Sequence, residues 1–358
     1  MTLKAISLYT GVGGLDFGFE AAGFDTAVAL DNDPVACRTL RLNRPWPVIE
    51  GDVAAIASEE ILQAAGLKCA EADVLIGGPP CQPFSKSGYW AMGDARRLSD
   101  PRAGTIGQYL RVLRDTLPRA FLLENVLGLA YAGKSEALEL IERGVRAINS
   151  ETGARYSVEM KALNAADFGV PQLRERVFIV GARDGKAFRF PSATHGARAA
   201  ELLDDLRPYR TAWDALADLP ADPNDPELRM TGKWADLLAS VPEGQNYLWH
   251  TPRGGGRPLF GWRTRYWNFL LKLDPEQPSP TIQAQPGPWV GPFHWRNRRL
   301  RLAEIKRLQT FPDDYELVGT RRSAQIQIGN AVPPLLAERL AASFARVSSQ
   351  QAAAALSA

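Results

Sequence analysis

Cysteine is scarce: three in 358 residues, Cys37, Cys69 and Cys81, an odd number with no CxxC pair. That excludes a disulfide framework and a cysteine zinc centre, and it fits a reduced compartment. No stretch approaches the roughly 18 uncharged apolar residues of a membrane span. The apolar start at Lys4–Tyr9 runs at once into Gly11, Gly13, Gly14 and Asp16, with no small-residue cleavage site of a secretory leader. The reading from these absences is a soluble, cytoplasmic protein without a metal centre. A net charge of one sign is also missing: 42 Lys+Arg against 40 Asp+Glu leaves +2. No global field advertises a polyanionic partner, so any basic binding surface must be clustered locally. No internal repeat is visible. What is present is ordinary globular composition, 45% hydrophobic and 23% charged, with enough apolar material for a sizeable core and enough length for roughly two domains.

Residues 1 to about 186 alternate short β-rich runs with helical stretches, the pattern of a mostly parallel α/β sheet. Strands are expected at Lys4–Tyr9, Thr26–Leu30, Asp73–Ile76, Ala120–Leu123 and Arg176–Gly181, and helices at Leu15–Ala22 and Pro34–Leu42. Special residues follow the strands' carboxyl ends, where open α/β sheets place their ligand crevice. From about 187 to 301 the periodicity fails, and seven of the nine tryptophans fall there. Between His250 and Thr310, 11 basic residues stand against 3 acidic ones. Basic residues interleaved with aromatics offer phosphate contacts and stacking surfaces, although a solvated basic face would look the same. Helical spacing returns at Ala303–Gln309 and Pro334–Val347, with a frayed Ala-rich tail expected from Ser348.

Four segments carry chemistry. Tyr9-Thr10-Gly11-Val12-Gly13-Gly14-Leu15 is a glycine turn between a first strand and a first helix, where backbone N–H groups can approach a ligand. Asp31, at the end of the second strand, stands where an acid binds ribose hydroxyls. Asp52 could take an adenine amino group from the third strand. Helix caps explain each acid singly but the ordered set poorly, so an adenosine-containing cofactor is favoured. Gly77-Gly78-Pro79-Pro80-Cys81-Gln82-Pro83-Phe84-Ser85 fixes its backbone with prolines on both sides of a cysteine. That is costly geometry for a residue meant only to pack, so Cys81 is read as a nucleophile and Cys37 and Cys69 as inert. Glu124, after the apolar Ala120–Leu123, is hard to solvate and suits a proton donor. Gln172, Arg174 and Arg176 alternate, which would put all three on one strand face, converging on an anion or a polar ring edge.

This ordered set resembles the cytosine-5 DNA methyltransferase family of the bacterial and phage type. The match runs through the whole chain except the middle insert. It includes Glu304 to Pro312 and Gln327-Ile328-Gly329-Asn330-Ala331-Val332-Pro333-Pro334 near the C-terminus. The resemblance implies a Rossmann-like S-adenosylmethionine-dependent domain from 1–186 and 302–358, with a smaller, irregular target recognition domain at 187–301. Three departures stand out: Ser7 where the family often has Asp, Asn32 where an apolar or aromatic residue often packs on adenine, and Arg301-Leu302-Ala303-Glu304, which lacks the family's organising arginine. Arg299 or Arg301 is the candidate substitute.

The same resemblance implies that Cys81 adds to carbon 6 of a flipped cytosine while Glu124 engages ring nitrogen 3. Arg176 would hold the pyrimidine carbonyl with Arg174 assisting, and carbon 5 would take the methyl of S-adenosylmethionine, leaving S-adenosylhomocysteine. Cofactor contacts are assigned to Tyr9, Gly11, Gly13, Gly14, Leu15, Asp31, Asn32, Asp52, Val53, Pro79, Asn330, Ala331 and Val332. DNA contacts are assigned to Gln82, Ser85, Arg253, Arg257, Arg263, Arg265, Arg296 and Arg298, with His294 a further candidate reader. Ser85–Thr105 suits a lid. The expected partner is double-stranded DNA, bound by a monomer, with a cognate restriction endonuclease acting separately. An RNA cytosine methyltransferase is the runner-up. A catalytically dead binding protein and a nicotinamide oxidoreductase rank lower, since neither has a use for the Pro-Pro-Cys turn.

Overall fold

In the computed structural model the described residues are 2–80, 104–127, 136–197, 206–220 and 225–356. They form two compact units, one of Met1–Asn164, Glu175–Ser192 and Pro334–Ala358, the other of Ala165–Arg174 and Ala193–Pro333.

The first unit holds β1 (Leu3–Leu8), β2 (Phe24–Asp31), β3 (Val48–Glu50), β4 (Val74–Gly77), β5 (Ala120–Val126), β6 (Glu159–Asn164) and β8 (Glu175–Ala182), whereas the two-residue β7 (Gln172–Leu173) belongs to the second. The seven strands form one sheet in the order β3-β2-β1-β4-β5-β8-β6. β8 runs antiparallel to both neighbours and every other pair is parallel. This is the expected α/β class. β6 escapes sequence reading because Glu-Met-Lys-Ala-Leu-Asn has no apolar alternation and its middle is exposed.

Among the described residues five helices lie between these strands: α1 (Gly14–Ala21), α2 (Pro34–Asn43), α3 (Ser58–Ala65), α4 (Gly104–Thr116) and α5 (Glu136–Thr152). α2 starts where it does because Pro34 is preorganised for a first helical position and Asp33 Oδ1 accepts from Val35 N at 2.8 Å. Ile6, Leu8, Val28, Leu30, Leu75, Phe121, Leu123, Val177 and Ile179 are fully buried, and α4 and α5 add Tyr109, Leu113, Ile141 and Val145. Each such side chain contributes about 1.5–3 kcal/mol by leaving water. The Tyr109 hydroxyl lies 3.0 Å from the Leu75 carbonyl and 2.9 Å from that of Leu122, between β4 and β5.

The second unit has little regular structure, so aromatic packing replaces hydrogen-bonded ladders. Tyr247, Phe260, Phe269 and Phe293 form its core with Leu238, Val241 and Leu270, and Trp234 and Trp289 pack against it. Most ring pairs meet edge to face, the arrangement favoured by ring quadrupoles. Among the described residues this unit has three α-helices: α6 (Ala212–Leu216), α7 (Leu302–Leu308) and α8 (Arg321–Asn330). Sequence reading grouped 302–358 with 1–186; here residues 302–333 cluster with the insert instead. The reason is side-chain partnership, because Glu304 of α7 is buried against Arg298 and Arg301.

α9 (Pro334–Leu356) returns to the first unit. Its backbone stays helical beyond Ser348, where fraying was expected, since Gln350–Leu356 contains only good helix formers. α9 lies so close to α1 that a Cβ on Gly18 would fall 2.3 Å from Ala337 Cβ. Only glycine allows that approach.

Candidate active site

The sheet reverses its winding between β1 and β4, a switch point where ligands of open α/β sheets bind. Both neighbouring turns are special. After β1 the backbone takes positive φ at Tyr9 (+53°), Gly11 (+57°) and Gly13 (+73°), and Gly13 precedes α1 with no side chain closing the first turn. Asp31, at the end of β2, fixes this turn: its Oδ2 accepts from Gly11 N at 2.7 Å and its Oδ1 from Asp33 N at 2.8 Å. Burial raises the Asp31 value, and the Asp33 and Gly11 amides oppose it. The Tyr9 phenol is also raised, by burial first and then by the charge of Asp52, while Arg111 opposes. Tyr9, Asp31 and Asp52 are therefore neighbours. Asn32 and Asp52 are exposed and Val53 is buried, and Asp52 Oδ1 accepts from Ala54 N at 2.9 Å.

Beneath the glycine turn runs a polar relay that sequence reading missed. Ser7 Oγ donates to Asp16 Oδ2 at 3.1 Å and lies 2.9 Å from Thr10 Oγ1. Thr26 Oγ1 donates to Asp16 Oδ1 at 3.2 Å. Asp16 is fully buried, and desolvation pushes its carboxyl up to about 6 although these hydroxyls pull it down. Arg111 is a second missed residue. From α4 it donates to the Val53 carbonyl at 2.7 Å, the Ile56 carbonyl at 3.1 Å and Ser58 Oγ at 2.8 Å, holding the loop that carries Asp52. An arginine at a helical position carries no signal of such a task.

After β4 the chain passes Gly77, Gly78, Pro79 and Pro80 against the end of β5. Asn125 Nδ2 donates to the Pro79 carbonyl at 3.1 Å, and a Cβ on Gly78 would stand 3.0 Å from Glu124 Oε2. Cys81, Gln82 and Ser85 lie outside the described residues, as does nearly all of the expected lid at 85–105. Glu124 Oε1 is 3.0 Å from Arg176 Nε, both side chains being largely buried. Burial lowers the Arg176 value and Glu124 opposes it. A guanidinium this close favours the charged carboxylate, so the poor solvation expected to make Glu124 a proton donor does not act alone.

The alternation of Gln172, Arg174 and Arg176 does not bring three side chains to one ligand. The strand breaks at Arg174, and only Arg176 joins Glu124. Arg174 is completely buried in the second unit, donating to the carbonyls of Ile282 at 3.3 Å, Gly329 at 2.8 Å and Ala331 at 3.0 Å. Gln172 is buried there too, donating to the Leu308 carbonyl and to Gln309 Oε1. Arg174 thus clamps the backbone at the C-terminal end of α8, beside exposed Asn330 and buried Val332.

Of the expected DNA readers, Arg253, Arg257, Arg263, Arg265 and Arg296 are exposed. Arg253 and Arg263 flank the Trp262 ring, their guanidinium carbons 4.8 and 5.8 Å from its centroid. Tyr266 and Trp267 are 82% and 61% exposed. Arg298 and His294 correct that expectation. Arg298 is bidentate on buried Glu304 at 2.7 and 2.9 Å, and His294, also buried, stands 3.7 Å from the same carboxylate. Burial would raise the Glu304 value, but the Arg298 hydrogen bonds and the Arg301 amide outweigh it and hold the carboxyl low. Arg298 and Arg301 together organise Glu304, and Arg299 does not. Among the described residues no cluster of His, Cys, Asp or Glu could hold a metal ion, and no helix is long and apolar enough to cross a membrane.

A glycine turn and a carboxylate–guanidinium pair at the carboxyl edge of such a sheet mark the ligand crevice of an open α/β fold. The C-5 cytosine-specific DNA methylase family model matches residues 3–346, and the chain belongs to that family. It is 45% identical over 357 residues to the type II methyltransferase M.SacI of Streptomyces achromogenes, covering 92% of this chain and 90% of that protein. With M.AquIA of Picosynechococcus it shares 50% over 228 residues, covering 62% and 90%. The S. pombe Dnmt2 methyltransferase structure superposes with a TM-score of 0.65 over 97% of this chain and 99% of that one, at 16% identity, a likeness of fold. The chain is a DNA cytosine-5 methyltransferase, and the RNA-acting and nicotinamide-dependent alternatives fall away.

Proposed function

We propose that this enzyme methylates carbon 5 of one cytosine within a specific duplex DNA sequence, through a covalent adduct at Cys81, with S-adenosylmethionine as donor. The observation that carries the reading is the Glu124–Arg176 pair, poised beside Gly78 three residues before Cys81. The Cys81 thiolate forms a bond to carbon 6, and the ring electrons shift toward carbon 5. Glu124 donates a hydrogen bond or proton to ring nitrogen 3 as that charge develops, while Arg176 orients Glu124 and reaches the ring carbonyl. Carbon 5 then takes the methyl group, loses its proton to a base, and the carbon–sulfur bond breaks to restore the aromatic ring and the thiolate. Carbon 6 is shielded in stacked DNA, so the base must leave the helix at a cost of a few kcal/mol. Arg174 acts as a positioning residue.

The residues of the first turn suit an adenosine-containing donor. A Cβ built on Gly11 would meet nothing within 4 Å, so the turn faces open space. Tyr9, Gly11, Gly13, Gly14 and Leu15 would line it, with Asp31 toward ribose and Asn32, Asp52 and Val53 toward the base. When bound, S-adenosylmethionine supplies an electrophilic methyl group. Pro79, Asn330, Ala331 and Val332 remain assigned to the cofactor on family resemblance, as Gln82 and Ser85 are to DNA. Sequence choice is assigned to the 187–301 insert, supported by the exposed Arg253–Trp267 segment, which holds four arginines and no acid. The type II names of the relatives support a restriction-modification role; the reading includes a monomer in the cytoplasm with a separate endonuclease. The test is duplex DNA carrying 5-fluorocytosine, which cannot lose its ring substituent. Wild type with S-adenosylmethionine should be trapped covalently and Cys81→Ala should not; methylation by Cys81→Ala would overturn the assignment.

A further inference from the structure

Arg298, Arg299 and Arg301 share one short segment but not one fate. Arg298 and Arg301 are spent on Glu304. Arg299 turns into a half-open pocket lined by Ile282, Gln283, Phe293, Ile305, Arg321 and Gln325, among others. Among the described residues its guanidinium donates only to the Pro288 carbonyl, at 2.9 Å. Arg321, the first residue of α8, enters the same pocket and donates to the Leu300 carbonyl. Among the described residues no carboxylate lies within 4 Å of either guanidinium; Asp225, Glu227 and Glu304 act on Arg321 only from farther away. Both arginines are half-buried. Burial lowers the values of both, and for Arg321 the charge of Arg299 adds to it. α8 itself points its N-terminus here with Arg321 and Arg322 and no acid in its first turn, the reverse of what the helix dipole favours. Two partly desolvated like charges at a positive helix end gain from an anion placed between them.

We propose that the Arg299–Arg321 pocket binds one backbone phosphodiester of the DNA substrate. Arginine forks match phosphate oxygens, and such a contact anchors the duplex without reading its sequence. The inference rests on DNA being the substrate and adds a phosphate anchor outside the exposed arginine–tryptophan segment.

The test measures equilibrium binding of cognate and non-cognate duplexes against salt for wild type, Arg299→Ala, Arg321→Ala and the double variant. Loss of one neutralised phosphate lowers the slope of log K on log salt by about 0.9. The double variant should show that loss equally on both duplexes, and no more than that, because both arginines hold one phosphate. In a scan of singly placed neutral methylphosphonates, one position should weaken wild type and leave the double variant unaffected. Unchanged cofactor affinity shows that the variants are folded. An unchanged salt slope in a folded double variant overturns the proposal. So does saturable binding of inorganic phosphate that the double variant loses while its DNA slope stays at the wild-type value, since the pocket would then serve a small phosphate ligand. Duplex binding by a wild type that fails to methylate would sink the activity reading and leave the pocket intact.

Discussion

Glu124 and Arg176 meet diagonally across the antiparallel β5–β8 pair, with Glu124 opposite Phe178 and Arg176 opposite Val126. Their contact is a product of strand direction. β5 ends at the ligand edge of the sheet, and because β8 is reversed, its beginning lies at that same edge. A parallel β8 would have carried Arg176 to the far side, about 20 Å away for strands of this length. The one reversed strand is therefore what gives the carboxylate its cation.

Removing that cation should be costly in two ways. In Arg176→Ala, a largely buried carboxylate loses its partner, and stability should fall by about 3 kcal/mol in denaturant unfolding. Methylation should fall further than stability explains, with kcat/KM partly restored in Arg176→Lys, which returns charge without the fork. Equal activity of the alanine and lysine variants would argue against a role for the charge.

Asp31 and Asp52 should differ. Asp31 holds one backbone amide of the glycine turn, that of Gly11, and one of its own turn, that of Asp33, whereas the Asp52 carboxylate holds only one on an exposed loop. By calorimetry, Asp31→Ala should weaken S-adenosylmethionine binding by about 1–3 kcal/mol, and Asp52→Ala by less. The reverse order would mean that the turn is not set by Asp31.

The buried Asp16 carboxyl predicts a pH effect of definite sign. Its folded value, about 6, lies above its ordinary 3.8, so the folded state binds the extra proton between these values. Its contribution to stability is greatest below the ordinary value and declines as pH rises toward 6, then stays constant. Asp16→Asn, neutral and of the same shape, should therefore gain on wild type as pH rises from 4 to 6, by on the order of 2–3 kcal/mol. Parallel stability curves for the two proteins would refute this.

Arginines of the insert should separate into two classes. Arg298→Ala leaves Glu304 buried with half its partners gone, and should lower the melting temperature without relaxing sequence choice. Arg263→Ala or Arg265→Ala should leave stability within about 0.5 kcal/mol while weakening recognition at one base position by about 1–3 kcal/mol. Methylation-sensitive sequencing of variant-treated DNA reads sequence choice, and a thermal melt reads stability.

The glycine turn and the positions of Asp31 and Glu124 are legible in the sequence because what sets them is local. Positive φ needs glycine, and a strand followed by an acid places that acid at the sheet's edge. The change of character along the chain is visible for a similar reason, since seven of the nine tryptophans fall within 187–301 and the basic excess within 250–310. Tertiary structure alone decided the partners. Arg174 and Arg176 are two residues apart and look equivalent, yet a break in the strand sends one to clamp carbonyls of Ile282, Gly329 and Ala331 and the other to Glu124. Arg298 and Arg299 are adjacent, yet one is neutralised by Glu304 and the other faces Arg321 across a pocket. An arginine's side chain is long and its charge indifferent to secondary structure, so its role depends on which carboxylate or carbonyl the rest of the fold brings within reach, and sequence spacing does not encode that.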